Sequence, residues 1–175
     1  MRREAGMIAM IAAAVSLPLA SCASDPRLGY APLSTFDSAV SSVSVPMIRN
    51  TTATPGIEQV LTDAVVKQIQ GNTPMRVVQS GQAASTLSVV ITDVRMRRIS
   101  ANNVTGLVQE LAVQMTVDFE WRDNRSGQVL KARRNFSAVD SFVPSRPTGE
   151  TLELGENAAA QRLARDIVNE LRGAW

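Results

Sequence analysis

Apolar residues follow three rhythms along this chain, and each predicts a different kind of element. The clearest rhythm has a period of two. Leu111, Val113, Met115, Val117, Phe119 and Trp121 alternate with Ala112, Gln114, Thr116, Asp118 and Glu120. This predicts a strand with one face on a core and the other toward water or a partner. Asp123-Asn124-Arg125-Ser126-Gly127 follows as a hairpin turn. The returning strand runs from about Val129 to Val139, with Leu130, Ala132, Phe136 and Ala138 on one face, interrupted by Arg134. Leu87 to Met96 is expected as an interior strand, apolar on both faces: Leu87, Val89 and Ile91 on one, Val90, Val94 and Met96 on the other. Val40 to Ile48 alternates Val with Ser and suits a further strand, with Val43, Val45 and Met47 facing one way. Pro46 demotes the end of that strand or places it at an edge. Met75 to Val78 is a short strand or the lead into one.

The second rhythm has steps of three and four. Ile57, Val60, Leu61, Ala64, Val65 and Ile69 form one apolar stripe, which predicts a helix. Thr54 is its expected N-cap and Pro55 its first helical residue. Glu58 adds negative charge where the helix dipole favours it, and Gly71 is the expected stop. After a break at Pro144 to Pro147, a second helix is expected from about Thr151 to Leu171. Its stripe is Ala159, Ala160, Leu163, Ala164, Ile167, Val168 and Leu171, and Gly173 ends it. Strands grouped apart from helices indicate an α+β fold. The expected architecture is two helices packed on one face of a mixed, mostly antiparallel sheet of about four strands, in the order β-α-β-β-β-α. The first strand must cross a helix to rejoin the sheet, which favours one parallel pairing.

The third rhythm is an unbroken apolar run, Met7 to Leu19, behind Arg2 and Arg3. It has signal-peptide length and is too short to span a bilayer comfortably. It ends in Leu19-Ala20-Ser21-Cys22, which resembles the lipobox of bacterial lipoproteins. In that class the cysteine thiol takes a diacylglyceryl group, a peptidase cuts before it, and the new amine is acylated. The competing readings are a plain secretory signal with a chance cysteine, or a buried apolar helix. Cys22 is the only cysteine, so no intrachain disulfide can form. A lone thiol in an oxidising compartment is a liability that acylation would remove. One acyl chain binds a membrane only marginally, at about 0.8 kcal/mol per buried methylene; several chains make a lasting anchor. The expected organisation is a lipoprotein signal peptide over 1–21, a lipidated tether over 22–38 and an α+β domain over 39–175. The resemblance to lipoproteins extends to Ala23. Lipoproteins kept at the inner membrane often carry Asp at that position, so Ala23 implies an outer-membrane address.

Charge narrows the function further. The full chain has a formal net charge of +2. Removal of residues 1–21 leaves 16 basic and 15 acidic side chains, a net charge of +1. That balance argues against nucleic-acid binding, which needs a strong cationic field. The absence of histidine excludes His-based triads, metal sites and general bases. Gly127, Gly149 and Gly155 are too dispersed for a phosphate loop. Asp118 and Glu120 share a strand face as acid–base pairs sometimes do, but aromatics make up only 4% of the chain, leaving little to hold a sugar substrate. No enzymatic activity, cofactor or metal is expected.

Val43-Ser44-Val45-Pro46-Met47-Ile48-Arg49-Asn50-Thr51-Thr52, then Pro55-Gly56-Ile57-Glu58 and Leu61-Thr62, resembles the LptE family. Members show a short Val-rich strand, a Pro, an Asn-Thr/Ser pair and a helix opening near Gly-hydrophobic-Glu. Thr73-Pro74-Met75-Arg76-Val77-Val78, Ile91-Thr92-Asp93-Val94, Trp121-Arg122-Asp123 and Ser126-Gly127 continue the similarity, as does Gly29-Tyr30 soon after Cys22. The resemblance implies a lipoprotein on the periplasmic side of the outer membrane that partners an LptD-like β-barrel translocon, helps that barrel fold and contacts lipopolysaccharide. Auxiliary lipoproteins of ABC-type envelope lipid transporters are the alternative, and a purely structural envelope lipoprotein is a third.

Basic residues supply the candidate ligand site. Arg95, Arg97 and Arg98 cluster on one strand, Lys131, Arg133 and Arg134 on another, and Arg122 and Arg125 flank the hairpin. Arginine suits bidentate contact with the phosphates of lipid A. Arg95, Arg97, Lys131 and Arg133 are therefore expected to bind anionic glycolipid. The bland reading is a set of solvated charges, some paired across strands with Asp118, Glu120 or Asp123.

The lipidation reading makes a direct prediction. Mass spectrometry of membrane-extracted protein should find Cys22 as an acylated amino terminus, and Cys22→Ser should leave residues 1–21 attached. Unmodified Cys22 behind an intact leader would overturn it.

Overall fold

A computed structural model describes residues 40–101, 108–144 and 149–172. The elements are β1 (Ser42–Ser44), β2 (Arg49–Asn50), α1 (Ile57–Asn72), β3 (Arg76–Val77), β4 (Ser85–Ala101), β5 (Val108–Asp123), β6 (Val129–Phe142) and α2 (Leu152–Arg172). The expected signal segment, Cys22, the expected tether and Gly173 lie outside the described residues.

The fold is α+β, as the rhythms predict. Its sheet is larger than expected: six strands among the described residues, not about four, ordered β3-β1-β4-β5-β6 with β2 paired to β4 as well. The strand expected over Val40 to Ile48 is two short strands. β1 and β2 both run parallel to β4, at Val43↔Ser85 and Arg49↔Val90. The intervening Val45 to Ile48 take one residue more than the matching stretch of β4. That extra residue puts Ile48 in the core with Val43 and leaves Met47 63% exposed, so Val43, Val45 and Met47 do not share a face. Pro46, which cannot donate to a ladder, falls in the break. β1 also pairs in parallel with β3, so parallel pairings number three rather than one.

β4, β5 and β6 form an antiparallel meander. The inward face of β5 is as expected: Val113, Met115, Val117, Phe119 and Trp121 are buried. Its neighbours keep pace only through bulges. Thr92 is the extra residue in β4, because Ile91 pairs with Val117 while Asp93 pairs with Thr116. This resets the alternation. Val94 and Met96 therefore stand opposite Met115 and Val113, on the same face as Leu87, Val89 and Ile91. The two-faced strand expected from the sequence is a one-faced strand with a bulge.

β6 behaves the same way. Phe136 pairs with Val117 and Arg133 with Phe119, so two residues, Arg134 and Asn135, stand against Asp118. Asn135 takes the left-handed conformation, φ 53°, which Asn tolerates better than most residues. Its N–H donates to Asp118 Oδ1 at 2.8 Å. The bulge keeps Phe136 and Ala138 inward, turns Lys131 and Arg133 to the inward side and puts Ala132 on the other face, opposite Glu120. Leu130, Ala132, Phe136 and Ala138 therefore do not share one face.

The helices bury their stripes against this inward face. Ile57, Leu61, Ala64, Val65 and Ile69 of α1 join Ala160, Leu163, Ala164, Ile167, Val168 and Leu171 of α2 in one core. Each fully buried large aliphatic side chain contributes about 1.5–3 kcal/mol. α2 comes close to β6 at Gly155, where an added Cβ would lie 2.5 Å from Phe142 Cδ1. In the core, Trp121 Nε1 donates to Ser85 Oγ at 2.9 Å, and Ser85 Oγ donates to the Ser42 carbonyl at 3.0 Å. This short relay ties β5, β4 and β1 together.

Both ends of α1 differ from expectation. Its N-cap is Gly56 at φ 86°, with no side-chain cap, rather than Thr54. Asn50, at the end of β2, ties the loop before the helix to its first turn without capping it. Asn50 Nδ2 donates to the Thr54 carbonyl (2.6 Å) and Glu58 Oε2 (2.9 Å), and its Oδ1 accepts from the Thr52 N–H (2.8 Å). At the far end the helix runs through Gly71, and Thr73 closes it by donating N–H and Oγ1 to the Ile69 carbonyl.

Candidate functional site

The four basic residues singled out in the sequence stand on two different faces. Lys131 and Arg133 lie on the inward side of β6, beyond its bulge, and reach Glu170 on α2. Lys131 Nζ is 3.2 Å from Glu170 Oε2, and Arg133 approaches the same oxygen at 3.1 Å through both Nε and Nη2. Two cations on one carboxylate hold the Glu170 carboxyl below the ordinary glutamate range. The Lys131 hydrogen bond is the largest cause; partial burial opposes it, and the Arg133 hydrogen bond and the two positive charges add to the lowering. The clamp fastens the last turns of α2 to β6 and retains one positive charge in excess.

Arg95 and Arg97 lie on the opposite face, which neither helix covers, on the far half of β4. Their side chains pair across the ladder with Gln114 and Ala112. Arg95 Nε meets Asp93 Oδ2 at 2.7 Å. Arg97 makes no ion pair among the described residues. Arg98, opposite Leu111, is on the helix side. Between and beyond these arginines, Met96 is 50% and Ile99 54% exposed.

The open face also holds a depression of about 300 Å³, with Arg49, Ser88, Asp118, Glu120 and Arg134 in its lining. No spacing in the sequence points to it, because Arg49 reaches this face only through the pairing of β2 with β4. The two carboxylates are both engaged. Asp118 fixes the β6 bulge, and Glu120 is paired with Arg122. At the hairpin, Asp123 Oδ1 accepts the N–H groups of Ser126 (3.1 Å) and Arg125 (2.6 Å), which in that order hold its carboxyl below the usual range. No group of His, Cys, Asp and Glu among the described residues could hold a metal ion. No helix among them is long and apolar enough to cross a membrane.

A family model described as lipopolysaccharide-assembly, LptE, matches residues 40–172. The chain belongs to the LptE family. The match takes in every element of the sheet and both helices, so the family's assignment to lipopolysaccharide assembly applies to the domain as a whole. No curated protein matches. Solved structures similar to this LptE-family domain show the same fold at low identity. A hypothetical protein from Chlamydia trachomatis is 12% identical with a TM-score of 0.53, covering 76% of this chain and 96% of its own. A PelC dodecamer from Paraburkholderia phytofirmans, in a single-substitution variant, is 19% identical at 0.51, covering 77% and 90%. A protein from Xanthomonas campestris is 13% identical at 0.51, covering 79% and 90%.

The Glu170 clamp of this LptE-family domain has a pH signature. A carboxyl held below its unfolded value contributes stability that is full above that value and is lost as pH falls through the folded one. Glu170→Gln should lower stability at neutral pH by up to about 1 kcal/mol, the range for partly exposed ion pairs. The difference from the unaltered protein should vanish under acid conditions below the carboxylate range. Urea unfolding across pH checks this; an unchanged gap at low pH would refute it.

Proposed function

We propose that this protein is an outer-membrane lipoprotein, acylated at Cys22, that partners the lipopolysaccharide-inserting β-barrel translocon. It aids assembly of that barrel and delivery of lipopolysaccharide to the outer membrane, and it performs no catalysis. The observation that carries the reading is the LptE family match over residues 40–172. The small-small-Cys motif at Cys22 supports the anchor. The uncovered face of the sheet, polar at Ser88, Gln114, Thr116 and Ser137, supports docking on a wall of similar polarity.

Arg95, Arg97, Lys131 and Arg133 are the proposed lipopolysaccharide contacts. Arg97 makes no ion pair among the described residues and the Arg95 side chain, though bound to Asp93, is 73% exposed, whereas Lys131 and Arg133 share Glu170 and Lys131 is 19% exposed. The first pair should therefore carry more of the phosphate contact than the second.

Two measurements test this. Detergent-extracted protein should co-purify with a large β-barrel in fixed proportion; inner-membrane transporter subunits in its place would move the protein to the alternative class. Replacing all four basic residues with Ser should weaken binding of purified lipopolysaccharide in a salt-sensitive way, with Arg95→Ser/Arg97→Ser accounting for most of the loss. Unchanged affinity in the folded quadruple variant would dispose of the contact site.

A further inference from the structure

β4 outruns the strands on one of its two sides. On one side β5 accompanies it from Ser85 to Ala101. On the other, β1 pairs with Ser85 and Thr86 and β2 with Val90 and Ile91, and Thr51 adds a last bond to the Ile91 carbonyl. From Asp93 to Ala101 no strand among the described residues occupies that side. Alternate peptide groups along this stretch point their N–H and C=O outward with no ladder partner among the described residues. An edge of this kind is a template for an added strand.

The other edges fit that role less well. β3 is only two residues long. β6 is bent by the Asn135 bulge and tied to α2 through Glu170. The β4 edge runs between its bulges from Asp93 to Arg98 and carries both charge and apolar surface. Arg95 and Arg97 project to one face, Met96 and Arg98 to the other, and Ile99 follows in the second bulge. Met96 and Ile99 are both about half exposed, at 50% and 54%.

Charge selects the occupant. Two copies of this edge laid together would bring the three arginines of each against those of the other, and like charges across strands are destabilising. Within the stretch itself the one carboxylate is Asp93, and it is taken up by Arg95. We propose that the Asp93–Ala101 edge of β4 receives an extended, acidic segment of a partner protein by strand addition. Its main chain completes the ladder, its carboxylates meet Arg95, Arg97 and Arg98, and its apolar side chains cover Met96 and Ile99. This goes beyond the lipid-delivery reading, because the occupant is a polypeptide and the contact runs through the backbone. The two readings share Arg95 and Arg97, so the test uses lipopolysaccharide-free protein.

The probes are ten-residue peptides added to the full mature chain: one alternating Glu and Val, one alternating Lys and Val, and the Glu peptide N-methylated at every residue, which blocks both of its edges. The Glu peptide should bind at least about tenfold more tightly than the Lys peptide, and N-methylation should remove at least about tenfold, a difference of about 1.4 kcal/mol. Hydrogen exchange should slow at alternate amides between residues 93 and 101 when the Glu peptide binds. Arg97→Glu/Arg98→Glu, both at exposed positions, should reverse the preference between the two charged peptides. Equal binding of the N-methylated peptide would overturn the proposal, since the contact would not use the backbone. So would unchanged exchange over residues 93–101. Protection of that stretch by phosphatidylglycerol vesicles but not by the Glu peptide would make the surface a lipid site and would also overturn it.

Discussion

Burial of one sheet face beneath two helices is the constraint on which the rest of the structure depends. A strand turns successive side chains to opposite sides, so one misplaced residue would send a whole apolar set into water. β5 meets the constraint with unbroken alternation. β4 and β6 meet it with bulges at Thr92 and at Arg134–Asn135, each of which resets the alternation where the sequence departs from it. Relaxing either bulge would expose Val94 and Met96, or Phe136 and Ala138, to the wrong side. The Asp118–Asn135 hydrogen bond is therefore a determinant of the core, although both residues lie outside it.

The same resets decide where charge is displayed. Lys131 and Arg133 face α2 because the β6 bulge turns them there, and Glu170 answers them. Arg95 and Arg97 face outward because the β4 bulge turned them the other way. Arg97 meets no carboxylate among the described residues, whereas Arg95 is answered by Asp93 as Lys131 and Arg133 are by Glu170.

Much of this was legible in the sequence. β5, the hairpin at Asp123–Gly127 and the stripe of α2 were readable because each repeats one signal over many residues. The loop before α1 was readable as a pattern, Asn50-Thr51-Thr52, without its mechanism. Asn50 spreads its bonds over Thr52, Thr54 and Glu58, a set of contacts that no single spacing rule predicts. The bulges were invisible for a different reason. A bulge is defined by the partner strand, and one extra residue in β4 means nothing until β5 is laid beside it. The Lys131–Arg133–Glu170 clamp joins residues 37 and more positions apart, so its partner could not be read from the strand that carries the cations.

The place of β1 in the sheet has a mechanical consequence. This strand comes first in the described chain, yet it lies between β3 and β4 and not at a rim. A pull along the axis of β1 is met by bonds on both flanks at once, and by the Trp121–Ser85–Ser42 relay behind them. Such a load shears two ladders together instead of unzipping one, so the domain resists being drawn apart by whatever holds its leading end.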